Sequence, residues 1–360
     1  MTSIITRRRF NFGAAAAAAT TPLLGHSASA QAPVGIGFIY VGPVGDHGWT
    51  WTHDQGRKAL EAHFGSKIKT SFLENVAEGP DAARAIRQLA QAGNQIIFTT
   101  SFGFMNPTIQ VAKQFPKLKF EHATGYQRTE NVATYNARFY EGRAVIGTIA
   151  GHMSKSGQAG YIASFPIPEV VMGINAFTLA ARKVNPNFKT KVIWASTWYD
   201  PAKEADAAKA LIDQGADMIT QHTDSAAALQ AAEQRGVFAF GQASDMSSFA
   251  PKAHLSAIVD DWSGYYIKRV QEVIDDKWKS GDVWGGIKDG FVKLAPYNAA
   301  VTPAARAAAD AVKDGIVSGK LHPFTGELKD QKGVVRVKAG ETAPDEVLAK
   351  MDWYIDGVQA

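Results

Sequence analysis

Fifteen residues that follow the first apolar run combine two tryptophans, two histidines and two aspartates. The segment is GPVGDHGWTWTHDQG (42–56), and it directly follows VGIGFIYV (34–41). An indole ring offers flat faces for stacking, and a carboxylate accepts hydrogen bonds from N–H and O–H donors. We therefore expect Trp49 either to stack on a flat ligand or to pack between domains. Asp46 either bonds to that ligand or caps a helix.

Similar side chains occur in the loops that follow later apolar runs. FGFMNP (102–107), FPIPE (165–169), WYDP (198–201) and ASDMSS (243–248) each follow a predicted strand. Their aromatic residues are Phe102, Phe104, Phe165, Trp198 and Tyr199. Surface loops usually lack large rings, so rings gathered at strand ends predict a cleft lined by π-surfaces. The amide of Asn106 could pair with a ligand edge, and Asp245 either forms a turn or contacts the ligand.

The elements that position these loops alternate between strands and helices. Near-continuous apolar runs predict buried strands at 34–41, 68–76, 95–101, 118–124, 159–164, 191–197, 216–222 and 237–242. Amphipathic segments predict helices at 51–65, 79–94, 106–115, 139–153, 167–184, 201–214 and 225–235. This alternation is typical of parallel sheets covered by helices on both faces. We expect an α/β fold of two doubly wound lobes, with the ligand beyond the carboxyl ends of the strands.

The C-terminal region carries less information about a site. We expect a helix over 302–320, short strands and a turn over 321–337, and a final helix over 343–358. We expect this last helix to cover one lobe.

Composition excludes several classes of function. The chain of 360 residues is long enough for two domains, and its net charge of +4 falls to +1 when the three N-terminal arginines are left out. That balance does not favour a nucleic-acid binder. The absence of cysteine excludes disulfides and thiolate sites, and His47 and His53 are not spaced for one helical face, so we expect no metal and no cofactor. The chain also lacks a phosphate-binding glycine loop and a GxSxG elbow, which argues against an enzyme.

The N-terminus predicts export. TRRRFNF (6–12) precedes the apolar stretch GAAAAAATTPLLG (13–25), and Ala28-Ser29-Ala30 offers a cleavage site. The pattern resembles a twin-arginine signal over residues 1–30. Because no cysteine follows it for lipid attachment, we expect a periplasmic, exported and soluble protein.

The loops and their order resemble the basic membrane protein family of periplasmic substrate-binding proteins, which includes purine nucleoside receptors of ABC importers. Asp46, Trp49 and Thr50 match the family's first loop, and AVIGTIAGHMSKSGQAGYIAS (144–164) looks like the opening of its second lobe. WYDPAKEADAAKALIDQGADMI (198–219) is similar to the stretch whose aromatic residue stacks on the base.

The resemblance implies a type I periplasmic-binding-protein fold, of the ribose-binding kind, with a three-segment hinge. It implies that Trp198 stacks on the base and that Asp245, in GQASDM (241–246), holds a ribose. We expect an N-terminal lobe of residues 31–124 and 255–285, and a C-terminal lobe of residues 125–254 and 286–360.

One departure from the family bears on the ligand. Nucleoside binders carry a lysine shortly after the Asp245 loop, whereas this chain reads SAIVDDWSGYY (256–266) with Asp260 and Asp261. An acidic pair offers acceptors that suit an exocyclic amine. We therefore expect an adenine-like purine base first and a purine nucleoside second.

The expected function is that of the solute-binding component of an ABC importer. Its partners would be the small-molecule ligand and an inner-membrane permease, with no nucleic acid, and the protein would be a monomer. Three alternatives remain: the same fold binding a sugar or another small solute, a nucleoside-processing enzyme, and a sensor subunit that reports the ligand to a membrane receptor.

Overall fold

A computed structural model describes residues 32–360 of the chain. The predicted export signal, residues 1–30, lies outside the described residues. The strands are β1 (Val34–Ile39), β2 (Ile68–Leu73), β3 (Ile96–Thr99), β4 (Lys119–Ala123), β5 (Val132–Ala137), β6 (Gln158–Ala163), β7 (Lys189–Trp194), β8 (Met218–Gln221), β9 (Phe238–Gly241), β10 (His254–Asp260), β11 (Asp282–Gly285), β12 (Val292–Leu294), β13 (Leu328–Lys329), β14 (Val335–Val337) and β15 (Val358–Gln359). The helices are α1 (Gly48–Phe64), α2 (Pro80–Gln91), α3 (Met105–Ala112), α4 (Phe139–Met153), α5 (Pro168–Val184), α6 (Pro201–Asp213), α7 (Ala227–Arg235), α8 (Ser263–Ile274), α9 (Pro303–Val317) and α10 (Asp345–Leu348).

Two sheets hold thirteen of these strands, and β13 and β14 pair separately as a short antiparallel sheet. The first has the order β11–β5–β4–β3–β1–β2, and all its strands are parallel. The second has the order β12–β10–β9–β8–β6–β7–β15, and only β12 runs antiparallel. Helices α2, α5, α6 and α9 begin with proline, which suits a first turn because its amide would have no partner there. The predicted α/β fold with two parallel sheets is confirmed.

The chain passes between the sheets three times: between β5 and α4, between β10 and α8, and between β11 and β12. These crossings correct the expected lobe boundaries. Val132–Ala137, expected in the second lobe, pairs within the first sheet, and His254–Asp260, expected in the first lobe, pairs within the second. Val132–Ala137 reads VATYNA, in which threonine and asparagine interrupt the apolar run that marks the other strands.

The expected final helix over 343–358 is wrong. Only Asp345–Leu348 is helical, and the chain then extends until Val358–Gln359 joins β7. The buried Asn175 side chain fixes this extended path, because it donates to Trp353 O at 2.8 Å and accepts from Ile355 N at 3.1 Å. An extended segment also buries some of its side chains in a regular pattern. The apolar spacing of this segment therefore did not distinguish a helix from an extended chain.

Within the part of the chain that the structure describes, buried apolar residues form three clusters. One lies between the first sheet and α2 with α3, and a second lies between the second sheet and α6 with α7. The third runs continuously across both sheets. Over residues 32–360, no helix has the length and apolar character needed to cross a membrane.

Candidate functional site

A cavity of about 410 Å³ lies where the carboxyl ends of the two sheets meet. Loops that follow β1, β2, β3 and β4 supply one side, and loops that follow β6, β7, β8 and β9 supply the other. This is the position in which open parallel sheets bind ligands. Its volume falls within the range of small-molecule sites.

Five of the predicted aromatic residues line this cavity: Trp49 and Phe102 from the first sheet, and Phe165, Trp198 and Tyr199 from the second. Trp49 lies in the first turn of α1, and its indole Nε1 donates to Thr100 O at 2.7 Å. Its ring also packs edge-on against Trp262, with the centroids 5.4 Å apart. Trp49 thus packs against neighbouring rings and also presents surface to the cavity, and its stacking on a ligand stays a prediction.

Trp198 lies in the loop between β7 and α6. Its ring is tilted against Phe165 with the centroids 5.1 Å apart, and its Nε1 donates to Glu78 Oε1 at 3.2 Å. Asp200 caps α6 by accepting from Lys203 N, so the helix begins after the tryptophan and leaves the ring in the loop.

Several other predicted residues do not reach the cavity. Phe104 is fully buried in the cluster against α2 and α3, and Thr50 is buried in the first turn of α1. Asn106 is exposed and contacts Gln127 at 3.3 Å. The Asp46 side chain is 76% exposed and bonds to its neighbour His47, and it makes no cap on α1.

The later aspartates have distinct environments. Asp245 accepts from Ser247 N in a turn, as one of its two expected roles requires. Asp261 accepts from Ser263 N at the start of α8 and pairs with Lys293 at 2.6 Å, so its hydrogen-bonding capacity is used within the fold. Asp260 is buried, and neither of its carboxyl oxygens has a partner among residues 32–360.

The sequence analysis missed the acidic and histidine residues of the cavity wall: Glu78, Glu169, His222 and Asp224. His222 Nε2 lies 3.4 Å from Glu169 Oε1, and Asp224 Oδ1 accepts from Trp49 N. Glu78, Glu169 and Asp224 follow predicted strands and His222 ends one, so the strand-end rule that selected the aromatic residues could have found them.

Burial dominates the electrostatics of this wall. Burial raises the pKa of Asp224 to about 7, although bonds from backbone N–H groups oppose the shift. Burial also raises the pKa of Asp260, and the neighbouring Glu169 carboxylate raises it further while Arg143 lowers it. Burial lowers the pKa of His222, which favours the neutral imidazole. No lysine or arginine is among the described residues that line the cavity, so the site suits a ligand rich in N–H or O–H donors.

Three residues of the wall have left-handed backbones although they are not glycine. Asn75, Thr124 and Ser196 have φ values of 55°, 62° and 52°. Such conformations cost about 1–3 kcal/mol for ordinary residues and concentrate at functional sites. Within residues 32–360, no group of acidic, histidine or cysteine side chains is arranged to hold a metal ion.

Comparisons with known proteins agree with this architecture. Residues 34–319 match the family model described as ABC transporter substrate-binding protein, PnrA-like. A purine-binding protein of Brucella abortus (strain 2308) is 57% identical over 336 residues, which cover 93% of this chain and 96% of that protein. A putative ABC transporter glucose-binding protein of Haloferax volcanii is 35% identical over 91% of this chain and 80% of its own length.

Solved structures show the same fold at low sequence identity. A solute-binding protein of an ABC transporter system from Aeropyrum pernix K1 superposes with a TM-score of 0.69 at 16% identity, over 81% of this chain and 93% of that one. A second such protein, from Conexibacter woesei, gives a TM-score of 0.65 at 20% identity, over 80% and 98%.

These findings define the general role. ABC transporter substrate-binding proteins bind a small-molecule ligand, act in the periplasm or outside the cell, and work with a permease; they are not enzymes. The chain belongs to the PnrA-like family of ABC transporter substrate-binding proteins.

Proposed function

We propose that this protein binds a purine base with an adenine-like edge, or a purine nucleoside, between Trp49 and Trp198. The observation that carries the proposal is that these indoles come from different sheets and line one cavity of about 410 Å³. Stacking a base on an aromatic side chain contributes about 1–3 kcal/mol. The name of the Brucella relative, which is 57% identical, supports a purine ligand.

We assign recognition of the ligand's edge to carboxylates of the cavity wall. Glu169 and Asp224 line the cavity, and the unpartnered Asp260 lies close enough to both for their charges to raise its pKa. These groups accept hydrogen bonds from a ring N–H or an exocyclic amine. A ligand without such donors would leave a buried acceptor unpaired, which costs about 1–3 kcal/mol. Asp46, Asn106, Asp245 and Asp261 have no role in this assignment.

A sugar is the second candidate. The Haloferax relative, 35% identical, carries the name of a glucose-binding protein. Tryptophan rings stack on sugars as well as on bases, and carboxylates accept from sugar hydroxyls.

We further propose that residues 1–30 direct export by the twin-arginine route and that the protein acts as a periplasmic monomer delivering its ligand to a permease. Replacing Arg7 and Arg8 by lysine tests the export route. The proposal expects the precursor to accumulate in the cytoplasm, and unchanged export would exclude this route. A sensor role is separated from transport by deleting the permease, because uptake of the ligand is then lost only in the transport case.

The ligand is tested by calorimetry on protein that has been unfolded and refolded to remove carried-over ligand. The panel contains adenine, hypoxanthine, guanine, adenosine, inosine and glucose. We expect tight binding of adenine and weaker binding of the nucleosides. Binding of glucose with no response to any purine would overturn the ligand assignment and favour the second candidate.

A further inference from the structure

The N-terminus of α1 is capped by the other half of the molecule. The N-cap residue His47 makes no side-chain cap, and the first turn contains no acidic residue. Instead, Gly48 N donates to Ser244 Oγ at 2.7 Å, and Trp49 N donates to Asp224 Oδ1. Asp224 and Ser244 lie in the loops after β8 and β9 of the second sheet, whereas α1 packs on the first.

The approach of the two halves is close at this point. Gly48 has a φ of +83°, and a Cβ atom there would overlap the carboxylate and the backbone oxygen of Asp224. Only glycine combines this backbone with this contact at low cost. The contact therefore depends on the absence of a side chain at position 48.

A second contact crosses the cleft, and in this one the acceptor belongs to the first half and the donor to the second. Glu78, in the loop between β2 and α2 of the first sheet, accepts at Oε1 from Ser101 Oγ at 2.6 Å and Gly103 N at 2.9 Å. The same oxygen accepts from Trp198 Nε1 at 3.2 Å, although Trp198 belongs to the second sheet. Bonds within its own half thus fix Glu78 before it meets the tryptophan.

The two tryptophans differ in what holds their rings. The Trp49 indole N–H donates to Thr100 O inside its own half. Among the described residues, the Trp198 indole N–H donates only to Glu78 across the cleft. The Trp49 indole is therefore hydrogen-bonded within its own half, whereas the Trp198 indole is hydrogen-bonded across the cleft.

We propose that Glu78, Asp224 and Ser244 form a cross-cleft clasp, a set of positioning residues that hold the closed cleft and set how long the ligand stays bound. The inference rests on the proposed function, because the clasp anchors the two rings between which the ligand is placed. Domains that bind a ligand between them can close around it by a hinge motion. Contacts that exist only after closure slow dissociation and leave the rate of encounter unchanged.

Stopped-flow kinetics with adenine as the probe test the clasp on the purified protein. Ser244 does not line the cavity, so Ser244→Ala removes a clasp bond without touching the ligand. We expect dissociation to accelerate about 2- to 10-fold, the range for one net hydrogen bond or helix cap, with association changed less than twofold. Ser248→Ala, an exposed serine of the same loop, is the matched control and should behave as wild type.

Glu78 provides an independent pair of variants. Glu78→Ala should accelerate dissociation of the ligand. Glu78→Gln should dissociate at nearly the wild-type rate, because its amide oxygen still accepts from the Trp198 indole. Unchanged dissociation rates in both Ser244→Ala and Glu78→Ala would overturn the clasp. A decrease in the association rate alone would overturn it as well.

Hydrogen exchange gives a readout that needs no ligand. The clasp predicts that the amides of Gly48 and Trp49 exchange faster in Ser244→Ala than in Ser248→Ala, and equal exchange would contradict it. If Ser244→Ala does not fold, Ser244→Gly and the Glu78 pair take its place. Failure of the wild-type protein to bind any purine would refute the proposed function. The exchange experiment would still show whether the clasp forms, because it needs no ligand.

Discussion

Replacing Trp198 by alanine should weaken purine binding strongly and leave the fold almost as stable as before. The ring is partly buried in the loop before α6, and it packs against Phe165 of the loop after β6, with centroids 5.1 Å apart. If the purine stacks on this indole, its removal costs about 1–3 kcal/mol of binding free energy. That loss corresponds to roughly a 5- to 150-fold rise in Kd.

Trp49 provides the comparison that makes this prediction specific. Its ring packs edge-on against His53, Phe139 and Trp262, with centroids 4.3, 6.0 and 5.4 Å away. Truncating a fully buried tryptophan costs about 3–5 kcal/mol of stability. Because Trp49 is only partly buried, we expect Trp49→Ala to lose about 2 kcal/mol of unfolding free energy as well as affinity.

Calorimetry with adenine and urea unfolding of each variant measure the two quantities separately. Trp198→Phe is the control, because it keeps a π-face while losing the indole N–H that donates to Glu78. We expect its Kd to lie between those of wild type and Trp198→Ala. An unchanged Kd for Trp198→Ala would refute the stacking model, and a stability loss equal to that of Trp49→Ala would refute the reasoning on packing.

Further predictions concern charge, backbone and the C-terminal segment. The pKa of Asp224 is raised to about 7, so its contribution to stability is present at acid pH and is lost as the pH rises through 7; the melting temperature of Asp224→Asn relative to wild type should therefore rise between pH 5 and 8, and a constant difference would contradict this. The acidic wall should repel a phosphate group. Calorimetry should therefore give adenosine monophosphate a Kd at least about tenfold higher than that of adenosine, a loss of about 1.4 kcal/mol of binding free energy. Equal Kd values would argue against the role assigned to the wall. Gly48→Ala should weaken adenine binding, measured by calorimetry, more than Gly45→Ala does, because both have positive φ but only position 48 would contact Asp224; equal effects would show that backbone strain alone matters. Asn175→Ala should lose about 2–4 kcal/mol of stability in urea unfolding, since two backbone bonds are lost, while its adenine affinity stays unchanged; a large change in affinity would place this segment in the binding mechanism.

The sequence predicted the strands with continuous apolar runs and the helices with an amphipathic pattern. The prediction failed where tertiary contacts decide the local structure. Continuous apolar runs such as VGIGFI in β1 are buried on both faces and were found within a few residues. Val132–Ala137 contains threonine and asparagine, so its place in the first sheet depends on pairing with β4 on one side and distant β11 on the other. The segment after Leu348 is extended because Asn175, far away in sequence, binds its backbone.

The candidate site was predictable to the same extent. Trp49 and Trp198 follow strand ends, and the rule for parallel sheets places strand ends around the ligand. The same rule also selected Phe104, which turns into the core, because loop position does not fix the direction of a side chain. The contacts of Asp224 with Trp49 and of Glu78 with Trp198 span 175 and 120 residues, a separation that local patterns do not encode.

A crystal structure of the protein with adenine tests the central claim most directly. The account predicts that the purine ring lies between the indoles of Trp49 and Trp198, with a donor of its edge within hydrogen-bond distance of Glu169 or Asp224. A ring bound outside this cavity, or inside it with neither indole stacked on a face, would contradict the account.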